Sequence, residues 1–170
     1  MKNPLSLLLA LLLCTSAMAQ KVHTVASPDG NIKVDIKTGK GITYDVTCHG
    51  ELVLHDCRMS MNIEGNVLGS MPKVQGASRK SVNETKRPFL HLKFAEVPNR
   101  YNELTLKMKG GYSVIFRAYD DGVAYRFVTS LPGEVQVYDE DITVFLTRRP
   151  TSCFSIATVT VAPTRSDTPS

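Results

Sequence analysis

From Lys21 the chain alternates apolar and polar residues in short runs separated by turn formers, the period-two pattern of strands that bury one face. Residues 22–26 read as a first strand. Ser27-Pro28-Asp29-Gly30 then turns the chain, Pro fixing φ and Gly accepting a positive φ. Ile32, Val34 and Ile36 share one face of the next strand, and after Gly39-Lys40-Gly41 so do Ile42, Tyr44, Val46 and Cys48. His49-Gly50-Glu51 returns the chain through Leu52-Val53-Leu54, and Met59, Met61 and Ile63 mark a further run. No segment sustains the apolar period of an α-helix, so the expected fold class is all-β, with antiparallel strands.

Residues 64–100 lose this alternation. Lys73, Arg79, Lys80, Lys86, Arg87 and Lys93 are scattered among Ser, Asn and Pro, which reads as a solvated loop or edge strand. A patch for an anionic ligand is the functional alternative. Asn83-Glu84-Thr85 has the form of an N-glycosylation acceptor.

The alternation returns strongly over residues 101–130. Lys109-Gly110-Gly111-Tyr112 and Asp120-Asp121-Gly122-Val123 each place turn residues between alternating segments, predicting a three-stranded meander. With two-residue loops, Leu106 opposes Ile115, which opposes Val128, and Phe116 opposes Phe127. That register puts Leu104, Leu106, Met108, Ile115 and Val128 on one face. It puts Val114, Phe116, Ala118, Val123, Tyr125 and Phe127 on the other, so a sheet covered on both sides is expected. The same register sets Arg117 against Arg126, a repulsive pair that calls for an acidic partner or an anionic ligand nearby. Residues 134–137 and 142–146 continue the strand pattern.

Composition narrows the class. The chain has 170 residues with 42% hydrophobic and 21% charged, one domain's worth of ordinary globular polypeptide. Its first residues carry Lys2, an unbroken apolar stretch over 7–13 and Ala17-Met18-Ala19, the form of a secretory signal peptide (1–19) cleaved before Gln20. The stretch is far short of the roughly 20 apolar residues that span a bilayer. Cys14 belongs to this leader, because the residues before it are leucines rather than the small residue that lipid attachment needs. Without Lys2 there remain 19 basic and 16 acidic groups, too mild a surplus to imply nucleic acid. A periplasmic or secreted protein, with no membrane partner after cleavage, is expected.

Three cysteines survive cleavage, Cys48, Cys57 and Cys153, so at least one thiol has no bridge within the chain. Cys48 and Cys57 flank a hairpin and read either as a disulfide or as small buried residues. Together with His49, His55 and Asp56 they have metal-ligand chemistry, but their spacing matches no zinc pattern. Asp120 and Asp121 are adjacent, and neighbouring strand residues point to opposite faces, so a tight turn explains them better than a catalytic pair. No phosphate loop, nucleophile elbow or Ser/His/Asp set is present. Residues 147–170 are rich in Ser, Thr and Pro and contain no Gly, Lys or Glu, reading either as a flexible stalk or as an out-of-frame or truncated end.

Two blocks carry a resemblance. SPDGNIKVDI (residues 27–36) and YNELTLKMKGGYSVIFRAYDDGVAYRF (residues 101–127) resemble the N-terminal domain of glycoside hydrolase family 97, secreted α-glucosidases and α-galactosidases. The likeness spans roughly residues 22–146. It implies a β-super-sandwich, similar to mutarotase-like domains, that packs against a catalytic barrel, with a calcium ion held largely by glutamates. None of those functional residues maps onto this sequence, so the expected catalytic, cofactor and metal residues here are none. The expected layout is a leader (1–19), a partial β-sandwich (20–146) and an aberrant tail (147–170). The expected function is that of an accessory domain without its own activity, with α-glucosides or α-galactosides as partners of the whole enzyme. The alternatives are a stand-alone carbohydrate-binding module, for which Tyr would have to replace the missing Trp, and a small independent hydrolase.

Overall fold

The computed structural model describes residues 21–87, 96–147 and 155–156. The leader and Cys153 lie outside them, as do Lys93 and most of the tail. Eleven strands form two sheets, and no helix occurs among the described residues.

The first sheet begins as a meander of β1 (Lys21–Ala26), β2 (Ile32–Thr38), β3 (Ile42–Cys48) and β4 (Glu51–Ile63), with the short β5 (Asn66–Leu68) folded back on the end of β4. The alternation predicted this much: Ile32, Val34, Ile36, Ile42, Tyr44, Val46 and Cys48 are all buried on one face. The β3–β4 turn is His49-Gly50, and both residues have positive φ (50° and 82°), the mirror-image turn that suits the twist of a hairpin. The two apolar runs of residues 52–63 prove to be one strand. Register shifts between Tyr44 and Val46 and between Val46 and Thr47 break its phase, and Asp56 takes φ 47° at the first.

The second sheet is built from β6 (Val74–Lys86), β7 (Val97–Met108), β8 (Tyr112–Tyr119) and β9 (Gly122–Thr129). Of the two readings of this stretch, a solvated loop or an edge strand, β6 is the edge strand. It pairs with β7 over its whole length, from Val74 opposite Met108 to Lys86 opposite Val97. It is an edge strand paired only with β7, and its side chains are mostly exposed and polar on both faces, so they leave no apolar rhythm to read.

The meander β7–β8–β9 is present, but its register is not the predicted one. Met108 faces Tyr112 across a three-residue loop, Lys109-Gly110-Gly111, in which both glycines have positive φ. At the second turn Ala118 faces Val123, and Gly122 is already in the strand. Leu106 therefore opposes Val114 rather than Ile115, Phe116 opposes Tyr125 rather than Phe127, and Ile115 opposes Arg126. A one-residue slip in the first hairpin moves side chains between faces. Leu104, Leu106, Met108, Tyr112, Val114, Phe116, Ala118, Tyr125 and Phe127 all join the buried core, while Ile115 and Val128 point to the opposite side. The sheet thus has a single core face. Arg117 lies opposite Glu103 and Ala124, not Arg126.

After β9 the chain returns to the first sheet as β10 (Val137–Thr143), pairing with β4, and Leu54 and Leu146 form one more bridge. Residues 134–136 are not in a strand. The chain then reaches the second sheet again as β11 (Ser155–Ile156), parallel to β9.

The two sheets meet through aromatic rings. Tyr44 of the first sheet packs edge-on against Phe116 of the second at 5.5 Å, and Tyr125 lies 6.2 Å from Tyr44 and 5.9 Å from Phe116. Polar ties close one side of the sandwich. Arg79 and Asn102 donate to the carbonyls of Thr24 and Ala26 (3.0 and 2.8 Å), and the Asp29 amide donates to Asp120 (2.9 Å).

Candidate functional site

Two places among the described residues combine concavity with polar chemistry. A broad cleft of about 1220 Å³ opens at the rim of the first sheet, where Lys40, Thr43, Arg58, Ser60, Met71 and Asp141 contribute to its wall. Thr43 faces Arg58, and Ser60 faces Asp141 across β4 and β10, so hydroxyls and opposite charges alternate there.

The second place is the outer face of β7–β9. Arg117 donates from Nε to Glu103 Oε2 at 2.7 Å, and its guanidinium carbon lies 4.5 Å from the centre of the Tyr101 ring. Partial burial acts against the Arg117 charge, but hydrogen bonds to Glu103 and Tyr119 outweigh it and raise its pKa. Tyr101 and Tyr119 pack against each other at 5.1 Å. Beside them a small hollow of about 100 Å³ is lined by Ile115, Arg117, Tyr119, Ala124 and Arg126. The acidic partner that the sequence demanded is Glu103, found directly across the strand pair.

The remaining sequence candidates separate in space. Cys48 and Cys57 are both buried thiols. Cys57 faces Tyr44, four residues from Cys48 along β3, which places them about 13 Å apart at strand rise, well beyond disulfide reach. Burial pushes the Cys57 thiol upward in pKa, so it is an inert core residue rather than a nucleophile. His49 sits in the β3–β4 turn, His55 stacks on Phe145 at 5.7 Å, and the Asp56 amide caps the Asp45 carboxylate at 2.8 Å. Asp120 and Asp121 form the β8–β9 turn; Asp120 accepts the Asp29 amide and faces Arg100 at 3.8 Å. The basic residues of 73–87 do not converge: Arg79 is tied to β1, Lys86 pairs with Glu84, and Arg87 with Glu96. Among the described residues no group of three or more His, Cys, Asp or Glu is arranged to hold a metal ion. The calcium implied by the family resemblance therefore finds no fitting donor set in them.

His23 is a residue the sequence did not single out. It is buried on β1, its Nε2 has no hydrogen-bond partner, and its pKa is lowered by burial and then by the charges of Lys21 and Arg79. Its only sequence signal was its place on the apolar face, two residues before Val25.

A family model described as "Glycosyl-hydrolase 97 N-terminal" matches residues 25–167. The chain belongs to this family. The matched range extends past residue 146, into the segment that composition alone sets apart. A retaining alpha-galactosidase of Bacteroides thetaiotaomicron is 49% identical over 127 residues, covering 73% of this chain and 19% of that protein. Among solved structures, a family 97 enzyme from Pseudoalteromonas sp. strain K8 in complex with acarbose has a TM-score of 0.60 at 23% identity, covering 71% of this chain and 20% of that one. A beta-arabinopyranosidase has a TM-score of 0.61 at 26% identity, covering 69% and 20%. The family 97 chain described here thus spans about a fifth of the length of each relative.

Proposed function

We propose that this chain is the accessory N-terminal β-sandwich of an exported family 97 α-glycosidase and has no hydrolytic activity of its own. The observation that carries the reading is the 49% identity to a retaining alpha-galactosidase, confined to 19% of that protein. That relative favours α-galactosides as the substrate class of the whole enzyme. Chemistry on this chain points the same way. Glycoside hydrolysis needs two carboxyl groups about 5–10 Å apart across a sugar. Several acidic groups are instead engaged in ion pairs and turn caps: Glu103 with Arg117, Asp45 with Lys37, and Asp29 with Ser27 and Asn31. Against a stand-alone sugar-binding module, Tyr44, Tyr101, Tyr112 and Tyr125 are buried, and the open rings among the described residues, Tyr138 and Phe145, lie on different segments.

The test is an assay of purified protein with calcium on aryl α-galactosides and α-glucosides, with calorimetric titration of the matching oligosaccharides. No release of nitrophenol and no heat of binding are expected. Turnover would replace this reading with that of an independent hydrolase, and binding heat alone with that of a sugar-binding module. Export by residues 1–19 is checked by fractionation and N-terminal sequencing, which should find Gln20 first.

A further inference from the structure

The two outer faces of the sandwich differ in charge balance. On the first sheet the outward lysines are neutralised on their own face: Lys37 pairs with Asp45 at 2.6 Å and Lys33 with Asp35 at 2.9 Å. On the second, the rungs of the ladder set Lys80, Glu103 and Arg117 side by side, then Thr105, Ile115 and Arg126, then Lys107, Ser113 and Val128. These rungs hold four cations and one acid; the other acid of this face, Glu84, pairs with a fifth cation, Lys86, at 3.3 Å. Glu103 is taken by Arg117, and among the described residues Arg126 has no ion-pair partner.

This face is also sheltered in a way that a solvated face is not. Ile115 and Tyr101 point away from the core, yet they are only 9% and 6% exposed, and the guanidinium of Arg117 and the ring of Tyr119 lie against Tyr101. The hollow between Arg117 and Arg126 has Ile115 and Ala124 in its wall and a volume of about 100 Å³. That is room for a carboxylate on a short aliphatic stem, with two planar guanidiniums at hand and apolar contact for the stem.

We propose that this face docks the remainder of a family 97 glycosidase, with a carboxylate side chain of that polypeptide seated between Arg117 and Arg126. The proposal rests on the accessory-domain reading. Relatives in which the matched segment is 19–20% of the chain must hold it against the other four-fifths. The unbalanced basic face with a sheltered apolar floor is the surface suited to that contact, since desolvated complementary charge around an apolar centre gives an interface its specificity.

The experiment grafts residues of this chain in place of the 127 matched residues of the Bacteroides alpha-galactosidase. An active, cooperatively melting chimera is expected; an inactive one overturns the accessory-domain reading. Arg126→Glu should then lower the melting temperature of the chimera by about 3 °C more than that of the isolated chain. Lys109→Glu, in the exposed β7–β8 loop, should shift both alike. Equal shifts for Arg126→Glu in chimera and isolated chain would overturn the docking proposal while leaving the accessory role intact. A second measurement stands apart from the chimera: glutarate titrated into the isotope-labelled isolated chain should move the amide resonances of Ile115, Arg117, Ala124 and Arg126, and no longer do so in Arg126→Glu. Shifts that are absent, or spread evenly over the surface lysines, would also overturn it.

Discussion

Arg117 and Glu103 face each other across β7 and β8 with Nε and Oε2 2.7 Å apart, the carboxylate 13% exposed and the guanidinium 30%. The pair is sheltered enough for its loss to be felt. Glu103→Gln leaves Arg117 without a counter-charge over the Tyr101 ring, and a loss of about 1–3 kcal/mol is expected in urea denaturation. The double substitution with Arg117→Leu should recover part of that loss, giving a measurable coupling in a double-mutant cycle.

Phe116 joins the two sheets. It is fully buried and meets Tyr44 and Tyr125 ring to ring. Phe116→Ala should cost about 3–5 kcal/mol through lost burial and the cavity left behind. Against a total stability of about 5–15 kcal/mol for an ordinary domain, that is enough to bring the urea midpoint down sharply.

His23 makes stability depend on acid. Its folded pKa lies below the ordinary value of 6.5, so below that pH the unfolded chain takes up a proton that the native state resists. Stability should therefore fall as pH drops from 6.5 through the folded pKa, and then level off. His23→Leu, measured by urea unfolding at a series of pH values, should flatten that part of the profile.

Asp29 is held in its charged form by the Ser27 hydroxyl and the Asn31 backbone and side-chain amides, which bring its pKa down to about 2. A carbon-detected NMR titration should find its midpoint there. Ser27→Ala should move it up toward 3.8, the ordinary value. The stabilising part of this turn is present above 3.8 and is lost as pH falls through about 2.

The strands that alternate cleanly were legible in the sequence, and the buried faces of β2 and β3 were readable residue by residue. What could not be read shares one cause, an interruption of phase. In β4, two irregularities place Val53 and Leu54 in the core side by side, so one strand looks like two. In β6, Gln75 to Lys86 has few apolar residues on either side, so composition left a loop and an edge strand as equal readings. In the β7–β8 hairpin, Lys109-Gly110-Gly111 contains enough glycine for a loop of two or of three residues. That single-residue choice decided whether Ile115 was core and set Glu103 against Arg117, while a two-residue shift at the β8–β9 turn moved Arg126 away from it. Arginines in need of an acid were visible in the sequence; that the acid was Glu103, and that Arg126 was left over, required the register.

The order of strands also sets a schedule for the growing chain. β1 to β4 are contiguous and can pair as soon as they leave the ribosome, but the far edge of β4 is covered only by β10, which follows the whole of β6 to β9. From Ile63 to Val137 the ribosome needs about 4–15 s at ordinary rates of synthesis. For that interval the first sheet waits with the row Arg58, Met59, Ser60, Met61 unpaired on one side. The segment most open to mispairing in a nascent polysome is therefore the second half of β4, in the part of the protein that is made earliest.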